Sequence, residues 1–161
     1  MISEQEQVQI RLLSDNELYS EAVKLMRSIG RPLPPTQING LLNVSLANTY
    51  DQLKQFVDHQ CARTTWASRD HHIPDFYRKL TGQLTNLEKR VPSIIKLRQE
   101  KPSPEDVKAI QMALAHEFIQ HLLAENAYRV AMKDFDTTNG KQEHQHMKNQ
   151  SKPYNREGQR R

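Results

Sequence analysis

Residues 74–94 read Pro74-Asp75-Phe76-Tyr77-Arg78-Lys79-Leu80-Thr81-Gly82-Gln83-Leu84-Thr85-Asn86-Leu87-Glu88-Lys89-Arg90-Val91-Pro92-Ser93-Ile94. Phe76, Leu80, Leu84, Leu87, Val91 and Ile94 recur at steps of three and four, the period that lines one face of an α-helix. Pro74 suits the first turn of such a helix, where its missing N–H removes no bond. Pro92 lies inside the pattern and predicts a kink or break near Arg90, because it lacks a donor and its ring meets the preceding turn. At about 100° per residue, Arg78, Lys89 and Lys96 fall within about 20° of one another, and Lys79 and Arg90 form a second row about 100° round. One face of this helix packs, and the other presents ammonium and guanidinium groups.

The same period extends in both directions. Towards the N-terminus, residues 4–13 predict a short helix after Ser3, and residues 16–29 a stronger one lined by Leu18, Ala22, Leu25, Met26 and Ile29. Gly30 stops it, and Pro32, Pro34 and Pro35 bar continuation. Thr36 is the expected cap of the next helix, whose face is Ile38, Leu41, Leu42 and Leu46. Thr49 or Asp51 opens another, with Leu53, Phe56, Val57 and Gln60 on one side. Residues 67–73 read as a loop. Towards the C-terminus, Ser103-Pro104-Glu105-Asp106 is a helix start: a cap, a first-turn proline, then acids at the positive helix end. Val107, Ile110, Leu114, Phe118, Leu122 and Tyr128 line that helix, which is expected to end near residue 134. The fold class is therefore all-α, a compact bundle of about five helices over residues 1–136. Residues 137–161 are almost free of apolar side chains and are expected to form a disordered basic tail.

The chain has 161 residues and a formal charge of +4, unevenly spread. Residues 1–30 carry three basic and five acidic side chains, whereas residues 61–101 carry nine and four. Residues 136–161 carry six and three. Positive charge concentrated in this way favours polyanions, of which nucleic acid is the commonest. The single cysteine, Cys61, excludes an intrachain disulfide. With no signal peptide and no apolar run of membrane-spanning length, the expectation is a cytoplasmic protein with no membrane partner.

The motifs of common chemistries fail on spacing. His116-Glu117 begins like a zinc-protease HExxH, but position 120 is Gln120, and His121 points about 100° away from the place where the second ligand belongs. Asp70-His71-His72 lacks the Glu-x-x-His pairs of a di-metal bundle. No arginine precedes a histidine by the four to six residues found in helical RNases. The glycines are isolated, so no phosphate-cradling loop is present. Cys61 has no partner to activate it and reads as packing. No catalytic residue, metal ligand or cofactor is therefore expected. An enzyme using His71, His72, His116 and His121 is the reading these failures disfavour.

The segment Arg63–Lys101 remains. Its candidate nucleic-acid-binding residues are Arg63, Arg69, Arg78, Lys79, Lys89, Arg90, Lys96 and Arg98. Acids are scarce there, whereas a face that only solubilises mixes both signs. Trp66, placed with Arg63 and Arg69 in an expected loop, has the chemistry to stack on a base, although the usual place of an indole is a core. Nothing suggests reading of base edges, so the expected contacts are to phosphates.

Three short stretches carry a resemblance. They are Leu33-Pro34-Pro35-Thr36-Gln37-Ile38-Asn39-Gly40-Leu41-Leu42, the run Gln60-Cys61-Ala62-Arg63 followed by Trp66, and the final helix from Phe118 through Ala124-Glu125-Asn126-Ala127-Tyr128-Arg129. Their order and spacing over residues 33–130 resemble the small α-helical subunits of type III CRISPR RNA-guided effector complexes, with Asn39 where that family usually has arginine. The resemblance implies a non-catalytic subunit that stacks in several copies beside the backbone and large subunits. It would support the guide RNA–target RNA duplex through sequence-independent backbone contacts. The alternative expectation is a helical protein–protein adaptor with no direct nucleic-acid role.

Overall fold

A computed structural model describes the backbone of residues 1–47, 49–67, 71–96 and 101–150, together with their side chains up to residue 133 apart from those of 47 and 67. Among the described residues the fold is all-α: α1 (Glu4–Leu13), a π-helical segment (Ser14–Leu18), α2 (Tyr19–Ser28), α3 (Pro35–Ala47), α4 (Tyr50–Ala67), α5 (His72–Glu88), the short α6 (Val91–Ile95) and α7 (Pro104–Gln150). Since α1, the π segment and α2 follow one another without a gap, these elements amount to five long helices and one short one. None is long and apolar enough to cross a membrane. The chain divides into two compact units, Met1–Ala127 and Tyr128–Arg161.

The first unit is organised around the apolar stripe of α5 and α6. Phe76, Leu80, Leu84, Leu87, Val91 and Ile94 are all buried. They pack in one core with Leu18, Ala22, Leu25 and Met26 of the N-terminal helix, Leu53 and Val57 of α4, and Ile110, Leu114, Phe118 and Leu122 of α7. Each such side chain contributes roughly 1.5–3 kcal/mol when fully buried. Pro74 falls in the first turn of α5, and the break expected from Pro92 occurs at Lys89 and Arg90, where Arg90 N–H bonds the Leu87 carbonyl at 3.0 Å before α6 begins.

The helix starts follow their side chains. Ser3 and Glu6 form a reciprocal capping box on α1. Thr49 caps α4 in the same way with Gln52: the Gln52 N–H reaches Thr49 Oγ1 at 3.4 Å, and Thr49 N–H donates to Gln52 Oε1 at 3.0 Å. Ser103 and Asp106 repeat the arrangement at α7. The expected Thr36 cap is corrected. Helix α3 starts two residues earlier than a Thr36 cap requires, with Pro35 in its first turn and the Pro34 carbonyl accepting from Gln37 and Ile38. Its buried face is also corrected, to Leu41, Val44 and Ser45, leaving Leu46 exposed. Gly30 closes α2 with φ +75°, the left-handed conformation that lets a chain leave a helix without a Cβ clash.

The π segment joins two stretches that the helix period alone keeps apart. In an unbroken α-helix Ile10 would lie about 80° from Leu18 and about 120° from Ala22. A π turn accommodates one extra residue, removing about 100° of rotation, and brings Ile10 within about 20° of both. Ile10, Leu18, Ala22, Leu25, Met26 and Ile29 are accordingly all buried. The proline-rich link that follows is anchored by Asn126, which is buried: its Oδ1 accepts the Leu33 N–H at 2.6 Å and its Nδ2 donates to the Leu33 carbonyl at 3.3 Å. One amide thus satisfies both backbone groups of a residue that has no helix to pair with.

In the second unit the described backbone is helical through Gln150, and Tyr128, Val130 and Met132 are exposed. Tyr128 therefore does not extend the core stripe of α7. The segment expected as a tail starts within this helical backbone, and residues 151–161 lie outside the described residues.

Candidate nucleic-acid interface

The described candidate cations come from α4, α5 and the turns around α6. Two of the eight, Arg69 and Arg98, lie outside the described residues. The other six divide according to what faces them.

Arg90 belongs to the interior of the first unit. Its guanidinium lies 3.0 Å from Glu17 and hydrogen-bonds Glu21, tying the break after α5 to the π segment and α2. Only 22 % of its side chain is exposed. Two carboxylates offset its charge, which leaves less of it for an outside anion. Lys79 donates to Asp75 at 2.7 Å and to Ser28 Oγ at 2.9 Å. Asp75 also lies 3.4 Å from Arg78. One carboxylate therefore serves two cations, and Arg78, with 67 % of its side chain exposed, keeps most of its charge for solvent. Lys89 is exposed beside the neutral Asn86, and Lys96 is exposed at the end of α6. Arg63 is exposed and holds its Nε and NH2 on the neutral Gln60 Oε1, at 3.3 and 2.8 Å. Among the described residues, Arg63, Arg78, Lys89 and Lys96 thus carry more positive charge at the surface than the carboxylates facing them offset.

Two grooves border these residues. One, of about 350 Å³ between α2 and α5, is lined by Glu21, Lys24, Leu25, Ser28, Lys79, Gly82, Gln83 and Asn86. A second, of about 500 Å³, lies beside the start of α5 and is lined by Ser28, Ile29, Thr65, His71, His72, Pro74, Asp75 and Arg78. The first places Lys24 opposite Lys79, a pairing with no signal in the sequence because α2 and α5 are joined by two intervening helices.

Arg63 and Trp66 are in the last turns of α4, which corrects the expected loop. The expectation of a core tryptophan is corrected too: Trp66 is 90 % exposed. The α4 face that carries it points away from the face that buries Leu53 and Val57. Cys61, by contrast, packs against the core as expected, with its thiol 4.0 Å from the Pro74 carbonyl.

Sequence reasoning missed two polar clusters. Ser14, at the start of the π segment, lies 2.8 Å from Glu117 Oε2 and 2.7 Å from His121 Nε2. A carboxylate can only accept, so Ser14 donates to Glu117 and accepts the His121 N–H. The hydroxyl proton is directed away from the imidazole, and Ser14 is 2 % exposed, so this is a helix-to-helix tie and not a nucleophile with its base. His116 turns instead to Gln120, at 2.7 Å. The two histidines of the near-miss HExxH motif thus face different partners, as their spacing requires. In the second cluster, Tyr50 donates to Glu88 at 3.0 Å and Lys54 to the same carboxylate oxygen at 2.8 Å. Burial first, and the Glu88 carboxylate next, push the Tyr50 hydroxyl pKa far up. Tyr77, buried and donating to Gln37 Oε1 at 2.8 Å, is pushed up to about 12 by burial, with Arg63 pulling weakly the other way. Among the described residues no group of three or more metal-ligating side chains comes together.

No family model, curated protein or solved structure matches the chain.

Proposed function

We infer that the chain is a non-catalytic subunit that supports an RNA duplex through its phosphates, as the small subunits of type III CRISPR effectors do. The observation that carries this reading is the surface surplus of Arg63, Arg78, Lys89 and Lys96, set apart from the internally neutralised Arg90. Cations facing neutral amides or a shared carboxylate gain by releasing counterions from a polyanion, and such contacts carry no sequence preference. The order and spacing of the three motif stretches over residues 33–130 point to guide RNA and target RNA as that polyanion. On this reading the subunit works in several copies beside backbone and large subunits, inside the cell.

The test is affinity purification of the tagged chain from its host, with sequencing of the bound RNA and mass spectrometry of the proteins. The expected result is short repeat-derived guide RNA with larger RNA-guided subunits. Recovery of a stoichiometric protein assembly free of RNA would reject it in favour of an adaptor. One observation favours that second reading: Val8 and Leu12, neighbours one turn apart on α1, are both about half exposed, apolar side chains open to a protein neighbour.

A further inference from the structure

Helix α4 presents a second kind of surface. His59, Ala62, Arg63 and Trp66 stand at i, i+3, i+4 and i+7, the spacing of one helix face, and all four are exposed. Imidazole, guanidinium and indole are planar groups on which a nucleobase stacks. Ala62 leaves open space between them. The guanidinium of Arg63 is already oriented by its two bonds to Gln60, and because Gln60 is neutral its charge is intact. The nearby Asp58 accepts from Thr81 of α5 at 3.3 Å and so is engaged across the helix pair. An indole left 90 % exposed forgoes the burial that normally stabilises a tryptophan, so its position is not explained by the core.

We propose that Trp66 and Arg63 form a stacking platform for the unpaired bases of a single-stranded RNA segment at the end of α4. The proposal rests on the polyanion-binding reading above and adds to the duplex-supporting surface a separate place for a single strand. A duplex keeps its bases stacked on each other and offers this platform only phosphates. The positive surplus of Arg63 and Arg78 supplies the complementary charge for the strand.

Trp66 is the single tryptophan of the chain, so its fluorescence reports on this site alone. The probe is a labelled 12-nucleotide oligouridylate, compared with a labelled RNA duplex of the same length, at low salt and with the full chain. Quenching of Trp66 by the single strand and not by the duplex is expected. Trp66→Ala is expected to weaken single-strand binding by roughly 5- to 100-fold, the usual effect of losing one stacked base. Duplex binding should be unchanged. Arg63→Lys keeps the charge but not the plane, and should weaken the single strand selectively. Circular dichroism of both variants should match the parent. If the oligouridylate binds, by anisotropy, while Trp66 emission is unmoved or Trp66→Ala binds equally well, the platform is rejected and phosphate binding stands. If neither RNA binds, both readings fall. A Trp66 emission that shifts with protein concentration without RNA would assign the indole to a protein contact, which also rejects the platform.

Discussion

Arg90 and Arg78 come from the same basic stretch, yet the structure gives them opposite roles. Arg90 holds Glu17 and Glu21 against the break after α5, and its removal leaves the half-buried Glu21 without its partner. Arg90→Met is therefore expected to destabilise the fold by about 1–3 kcal/mol, the usual penalty for stranding one member of such a pair. Arg78→Met should leave stability within about 0.5 kcal/mol, as exposed substitutions do. Urea denaturation of the two variants checks the contrast, and equal destabilisation would contradict it. Tyr50 and Tyr77 give a pH dependence. Both hydroxyls are held protonated in the fold, Tyr77 up to about 12, so above pH 10 the unfolded chain releases protons that the folded chain keeps. Their contribution is complete below about pH 10, the ordinary tyrosine value, and is lost as pH rises through the folded values. Denaturation midpoints should be flat with respect to these groups up to about pH 9 and fall beyond pH 10, with Tyr77→Phe falling less steeply. An unaltered slope would show that Tyr77 is not held in this way.

At the scale of elements, the apolar stripes of α2, α5 and α7 could be read from spacing because they depend only on the helix period and on burial of one side. The break at Pro92 and the starts at Ser3, Thr49 and Ser103 were equally local. What could not be read depends on partners distant in the chain. Leu42 and Leu46 suit a helix face as well as Val44 and Ser45 do, and only the packing of α3 decides between them. Trp66 shares the last turn of α4 with the buried Thr64 but lies on the side away from Leu53 and Val57, so its apolar character says nothing about where it points. The surplus on Arg63, Arg78, Lys89 and Lys96 was legible as charge density. The withdrawal of Arg90 from it was not, because Glu17 and Glu21 lie some seventy positions away, as the span of 69 between Glu21 and Arg90 shows. The π segment follows from the mismatch between Ile10 and the stripe of α2, and it can be tested by length. Deleting the exposed Asn16 should convert the π turn to α while keeping Ile10 aligned with Leu18, so helicity and cooperative unfolding persist. Deleting Lys24 instead turns Leu25, Met26 and Ile29 by about 100° away from the core and should abolish cooperative unfolding. If the Asn16 deletion unfolds the chain while the Lys24 deletion does not, the account of the π segment is wrong.

Among the described residues, Glu88, Glu17 and Glu21 are matched by Lys54 and Arg90, whereas the exposed Arg63, Arg78, Lys89 and Lys96 face neutral groups or a shared carboxylate. A surface of this kind attracts polyanions over a Debye length of about 8 Å at physiological salt and discriminates little between sequences. The most direct test of that claim is the salt dependence of binding to a labelled RNA duplex, for the parent chain and for Arg78→Glu/Lys89→Glu/Lys96→Glu. The account predicts that the logarithm of the parent's binding constant falls linearly with the logarithm of salt, equally for duplexes of different sequence. It predicts that the triple variant binds far more weakly, with a slope shallower by about one for each phosphate that is no longer neutralised. Equal affinity and equal slope in parent and variant would contradict it, and would leave these cations as solvated surface.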